Sequence, residues 1–139
     1  IFRERTDVSC LRCHAAQGEG GTVGPQLDGV AAKQTREYLL ESIVAPNAKI
    51  APGFESLVIE TTDGRLRSGV FKREDGKELV LVQPDADIEP DKQVVTIPKN
   101  QIKSRDRGPS AMPEGLVLAL SKSELRDLVE FLASLKDEK

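Results

Sequence analysis

The spacing of apolar positions along this chain changes period twice. From Thr35, a capping residue, Tyr38, Leu39, Leu40, Ile43 and Val44 recur at helical spacing. Ala45-Pro46 ends that pattern, since the residue before a proline disfavours the helical region. Over residues 56–104 the pattern becomes strand-like. Ser56–Thr61, Arg65–Lys72 and Glu78–Gln83 are rich in Val, Leu and Ile, and Asp63-Gly64 and Asp75-Gly76 part them. Asp-Gly between such runs is a hairpin signal, because both residues tolerate the positive φ of tight turns. Val94–Ile97 and Gln101–Ser104 add shorter strands. Helical period returns after Ser121-x-x-Glu124, a capping box, with Leu125, Leu128, Val129, Leu132 and Leu135 on one stripe. Lys136 near that helix's end suits the negative pole of its dipole. At the other end, residues 1–17 are expected to be helical, and Gly18 to Gly29, with Gly24-Pro25, to form a loop.

These elements predict a single domain over 1–139, mainly α, with a small antiparallel β unit of four or five strands inserted at 54–107. The length of 139 residues suits one such domain. Four Phe, one Tyr and no Trp make the core poor in aromatic rings. Either aliphatic side chains fill it, or a large apolar prosthetic group completes it.

Twenty basic and 23 acidic residues are spread along the chain, and no Lys/Arg cluster suggests a nucleic-acid footprint. Asp85, Asp87, Glu89 and Asp91 read best as a solvated acidic loop. No apolar run approaches the roughly 18 residues of a transmembrane helix. The chain opens on Ile rather than Met without a signal-like segment, which reads as a processed protein or a piece of a longer one.

The chemistry concentrates in Cys10-Leu11-Arg12-Cys13-His14, the C-x-x-C-H pattern of covalent haem attachment. Two residues between the thiols bring them, on a helical turn, to adjacent vinyl groups. The histidine that follows then offers a ring nitrogen to the iron. A thioredoxin-like disulfide would need a βαβ context that the flanks lack. A structural zinc would need carboxylates to complete four ligands, and two idle cysteines is the plain alternative. His14 is the only histidine and Met112 the only methionine. Met112 stands in Ser110-Ala111-Met112-Pro113-Glu114-Gly115-Leu116, with Pro109 before it. A lone methionine is usually a core gap-filler, but between two prolines, in a chain with a haem motif, it reads as the second axial ligand.

Several segments resemble a class I cytochrome c. More narrowly, the chain is similar to a haem-binding domain family of the Pirellula/Verrucomicrobium type known from planctomycetes and related bacteria. The resemblance is carried by CLRCH at 10–14, VGPQLDGV at 23–30, REYLLESIVAPNAKIAPGF at 36–54, TTDGRLRSGV at 61–70, SAMPEGL at 110–116 and ELRDLVEFL at 124–132. It implies terminal helices crossing beside one covalent haem c, with Cys10 and Cys13 as thioether attachments and His14 and Met112 as iron ligands. It also implies a backbone carbonyl at Gly24-Pro25 accepting a hydrogen bond from the ligating imidazole, and Pro25 is counted with the cofactor site. Such a bond orients the ring and raises its basicity. His14 and Met112 are 98 residues apart, and taking out the 54 residues of 54–107 leaves 44, near what a small cytochrome loop needs.

Tyr38, Ile43 and Leu116 lie on segments expected to face the ring, joined by Leu128, Phe131 and Leu132 from the last helix. Arg36, Asn47 and Lys49 are candidates for its propionates. The function expected is electron transfer, not catalysis, with a redox partner or a fused dehydrogenase domain as donor. Attachment of haem outside the cytoplasm implies a periplasmic or otherwise exported setting. The competing expectation is a haem-based sensor or peroxidase-like protein in which the methionine is displaced. A binding role for the β unit has little behind it, because Phe54 and Phe71 are its only aromatic side chains.

Overall fold

The computed structural model describes residues 1–83 and 93–137, so the acidic run at Asp85, Asp87, Glu89 and Asp91 lies outside the described residues. The chain divides into two compact units, residues 1–49 with 112–139 and residues 50–111.

The first unit carries the helices. α1 is a single turn, Cys10–Cys13, followed by a small hairpin of β1, Ala15–Ala16, and β2, Glu19–Gly20. Gln17 and Gly18 make its turn with φ of 54° and 82°. The helix expected over 1–17 is therefore replaced by turns, one helical turn and a hairpin. Two local facts explain this. Ser9 enters α1 in the left-handed region, which a continuing helix cannot pass through, and His14 leaves it extended.

α2 is short, Val30–Lys33. α3 runs over Arg36–Val44, and the Thr35 hydroxyl accepts the Tyr38 N–H at 3.2 Å. α4 spans Lys122–Ala133 behind a complete capping box: the Ser121 hydroxyl takes the Glu124 N–H at 3.1 Å, and the Glu124 carboxylate takes the Ser121 N–H at 2.9 Å. One cluster holds the unit together, with Leu39 and Ile43 of α3, Leu128, Val129 and Leu132 of α4, Leu135, Phe2 and Ala16 all buried. The rings of Phe2 and Phe131 meet at 5.2 Å between centroids.

The second unit is an antiparallel meander. β3 is Ser56–Thr61, β4 Leu66–Glu74, β5 Glu78–Val82, β6 Val94–Pro98 and β7 Ile102–Arg107, in the order β6-β5-β4-β3-β7. The Asp-Gly turns work through their side chains: the Asp75 carboxylate accepts the N–H groups of Lys77 and Glu78 at 2.8 and 2.9 Å.

The edge strands β6 and β7 are joined only by a 3-10 turn, Lys99–Gln101. Across a flat five-stranded sheet the edges would be about 19 Å apart, whereas three residues of 3-10 helix rise only about 6 Å. The sheet must curl. Its concave side holds Ile59, Leu79, Leu81 and Ile97, all at most 3% exposed, with Leu57, Phe71, Val95 and Ile102 packed on them. The Glu74 carboxylate takes Arg105 of β7 at 3.0 Å and Lys99 of the turn at 2.7 Å, which ties the end of β4 to the closure. Phe71 belongs to this core, and Phe54 lies under the Lys72 ammonium at 5.0 Å.

The mainly α expectation is thereby corrected: the described residues are about 28% helix and 27% strand. The N-terminal segment forms one helical turn instead of a helix. In the second unit β4 and β7 run on to Glu74 and Arg107, past the strand ends that the apolar alternation marks, because cross-strand pairing continues through charged residues.

Candidate functional site

Three backbone contacts, two of them from glycines, wrap the C-x-x-C-H turn. Gly21 N–H donates to the Leu11 carbonyl at 2.9 Å and Gly24 N–H to the Cys13 carbonyl at 2.8 Å, while Leu27 N–H reaches Ala15 at 2.8 Å. The approach leaves no room for side chains. A Cβ on Gly21 would lie 2.0 Å from the Arg12 carbonyl oxygen, and one on Gly24 would lie 2.8 Å from Cε1 of His14. Sequence reasoning marked this stretch as loop, and only the resemblance implied that Gly24-Pro25 meets the ligating imidazole; nothing local in it signals the contacts of Gly21 and Leu27.

Cys10 and Cys13 open and close α1, with free, half-buried thiols whose pKa burial pushes up. His14 caps the turn, its N–H on the Cys10 carbonyl at 3.0 Å. Its Nδ1 lies 2.7 Å from the Pro25 carbonyl oxygen. A carbonyl can only accept, so Nδ1 carries the proton and Nε2 is left with the lone pair. Burial holds the imidazole pKa below its ordinary value, against the opposing pull of the Pro25 bond. The ring is thus a neutral base with one fixed orientation, the form a metal ligand requires.

The loop that carries Pro25 is itself anchored. The buried Asp28 carboxylate accepts the Gln17 N–H at 2.9 and 3.1 Å and Nε2 of Gln26 at 3.0 Å.

Met112 belongs to the same unit and is half-buried against the cluster that also receives Cys10 and Leu11. Ile43, Leu128 and Leu132 lie inside that cluster and Phe131 packs on it, while Tyr38 and Leu116 are half-buried outside it. Sequence reasoning placed Leu40 and Val44 on the helical pattern but not in the site, and did not single out Leu118; the three are 40%, 45% and 88% exposed in this unit. Leu40 and Val44 are one helical turn apart, beside the face of α3 that Leu39 and Ile43 bury; a stripe of residues 39, 40, 43 and 44 wider than one contact was the available signal.

The propionate candidates have carboxylate partners of their own. Arg36 forks onto Glu130 at 2.8 and 3.2 Å, Asn47 donates to Glu114 at 2.7 Å, and Lys49 lies 3.6 Å from Glu41 and 5.6 Å over the Tyr38 ring.

These residues fit a covalent haem: paired thiols on one turn, an imidazole with Nε2 available, and apolar side chains left uncovered in the same unit. They do not fit zinc, because among the described residues no three His, Cys, Asp or Glu side chains gather into a metal-ion site. Among the described residues no helix is long and apolar enough to cross a membrane.

The family model for cytochrome c matches residues 3–66, which takes in the C-x-x-C-H turn, Gly24-Pro25 and α3 but not Met112. No curated protein matches the chain. The match supports a cytochrome c family and a haem-binding, electron-transferring role, and it implies a covalently bound haem c with its iron.

Proposed function

From the cytochrome c match we propose that this chain is a one-electron carrier module, not an enzyme, with His14 and Met112 as the axial pair. Haem c, when bound, supplies a one-electron iron couple. Cys10 and Cys13 hold it through thioethers in either oxidation state. Pro25 keeps the Nδ1 proton of His14, and so keeps Nε2 as the donor atom. Leu40, Val44 and Leu118 supply apolar wall and exclude water. Met112 would offer a thioether, a soft donor that favours the reduced state.

The observation that carries this reading is the 2.7 Å contact of His14 Nδ1 with the Pro25 carbonyl, which leaves the imidazole poised for ligation. The packing of Met112 on the cluster shared with Cys10 supports its partnership. We also read residues 54–107 as a β insertion in one cytochrome c domain. Its support is that the chain leaves the helical unit after Lys49 and rejoins it at Met112. The narrower Pirellula/Verrucomicrobium-type kinship, an exported setting, and a redox partner or fused dehydrogenase domain belong to the same proposal.

The sensor or peroxidase-like alternative wants an acid–base group beside the distal ligand. Glu114, the nearest carboxylate in sequence to Met112, is engaged by Asn47, which weighs against it. The test is a reduced-minus-oxidised spectrum with a pyridine haemochrome assay on the holoprotein and on Met112→Ala. Covalent haem in both, with loss of the low-spin signature and far-red thioether–iron band in the variant, is the expected result. A variant spectrum identical to the parent's would move the distal ligand elsewhere.

A further inference from the structure

We propose that Asn47 and Glu114 form a latch that sets how readily Met112 gives way to an external ligand. The inference rests on the reading of Met112 as an axial ligand and adds what governs its hold.

Glu114 is two residues past Met112, and Gly115 then turns the chain at φ 88° into a 3-10 turn at Leu116–Ala119. The Arg5 guanidinium holds the far end of that turn through the Ala119 carbonyl at 2.8 Å, but the backbone bonds within it, Leu118 to Gly115 at 3.0 Å and Leu120 to Val117 at 3.2 Å, are local and do not fasten the methionine loop to the end of α3. The Asn47 amide does: its Nδ2 donates to Glu114 Oε1 at 2.7 Å across 67 residues of sequence.

Asn47 sits on a rigid base. It follows α3 in a turn closed by Ala48 N–H on the Ala45 carbonyl at 2.9 Å. α3 is held on α4 by Leu39, Ile43, Leu128 and Leu132 in one cluster and by Arg36 on Glu130. The latch therefore joins the methionine loop to the best-anchored helix pair in its unit. Both side chains are exposed, so the bond acts as a modest bias on loop opening rather than as a structural pillar. An external ligand binds only when the loop is open, and its apparent affinity scales with the open fraction. Asn47 and Glu114 are positioning residues that act through Met112.

The test is imidazole titration of the oxidised holoprotein, followed at the Soret band in every protein and also at the far-red band wherever Met112 is kept, for the parent, Asn47→Ala, Glu114→Ala, Glu114→Gln, the double alanine variant and Met112→Ala. Loss of one charge-assisted hydrogen bond predicts that each alanine variant binds imidazole about 3- to 10-fold more tightly. The double variant should be no tighter than the tighter single one, since both remove the same contact. Glu114→Gln, whose amide oxygen still accepts from Asn47, should stay near the parent. Thermal midpoints should move little, because a pillar would shift them and a latch would not. Alanine variants within twofold of the parent, or a double variant whose effect is the product of the singles, would overturn the latch. Imidazole affinity of Met112→Ala equal to the parent's would instead overturn the axial assignment beneath it.

Discussion

Gly24 lies flat against the imidazole of His14: a Cβ there would meet Cε1 at 2.8 Å, Nδ1 at 3.0 Å and Nε2 at 3.2 Å. The same glycine donates its N–H to Cys13, so the backbone cannot retreat without breaking a motif contact. Gly24→Ala should therefore rotate the ring or stretch its bond to Pro25. Overpacking of this kind costs about 1–3 kcal/mol, and the shifted ring should also alter the reduction potential and the low-spin resonance of the oxidised protein. Denaturation and electron paramagnetic resonance on the holoprotein check both. Unchanged resonances would mean that the ring has slack the structure does not show.

Asp28 is a buried carboxylate with three hydrogen bonds to its oxygens, two from one N–H. Asp28→Ala leaves the Gln17 N–H and the Gln26 amide without that acceptor. A loss of about 1–3 kcal/mol is expected, read from denaturant midpoints. Because the loop between Gln17 and Asp28 carries Pro25, the variant should also lose haem during turnover of oxidation state more readily if thioether attachment is cut to one cysteine.

Ser121→Ala removes the hydroxyl half of the capping box on α4. Helix N-caps of this type contribute about 1 kcal/mol, so the midpoint should fall by that amount, and Ser121→Asp should restore most of it. Equal losses in both variants would show that the hydroxyl serves some contact other than the cap.

Glu74 gives the second unit a pH signature. The hydrogen bond from Arg105, and then that from Lys99, lowers its carboxyl pKa from 4.5 to about 2. The unfolded chain binds the proton first as pH falls, so this contribution is complete above the unfolded value and is lost between 4.5 and about 2. Stability of Glu74→Gln should therefore trail the parent by a constant amount at neutral pH and converge with it across that window. Because the pair is exposed, the gap should narrow at high salt. A gap that is the same at pH 2 and pH 6 would sink the assignment.

Much of this molecule is written locally. Thr35 and Ser121 each take the N–H three residues on, as their positions before apolar helical stripes announce. The Asp-Gly pairs turn the chain between strands, as residues that tolerate positive φ or accept nearby N–H groups do. The N-terminal helix failed to appear for the opposite reason. Its apolar positions serve contacts with distant segments, such as Phe2 on Phe131, and not a helical stripe. On α3 the pattern told which residues are apolar but not which of two adjacent strips, 39 and 43 or 40 and 44, would pack on α4.

The sequence by itself determined the reactive inventory: two thiols and an imidazole within five residues, one methionine, and capped helices on either side of a β meander. That follows because spacing of one to four residues settles turns, caps and the reach of neighbouring side chains. The tertiary structure alone decided that Gly24 braces His14, that Asp28 anchors the loop carrying Pro25, and that Asn47 meets Glu114 across 67 residues. It also decided that the sheet curls, since a three-residue turn between edge strands allows nothing flatter. Such contacts depend on packing of the whole unit, and no periodicity along the chain encodes them.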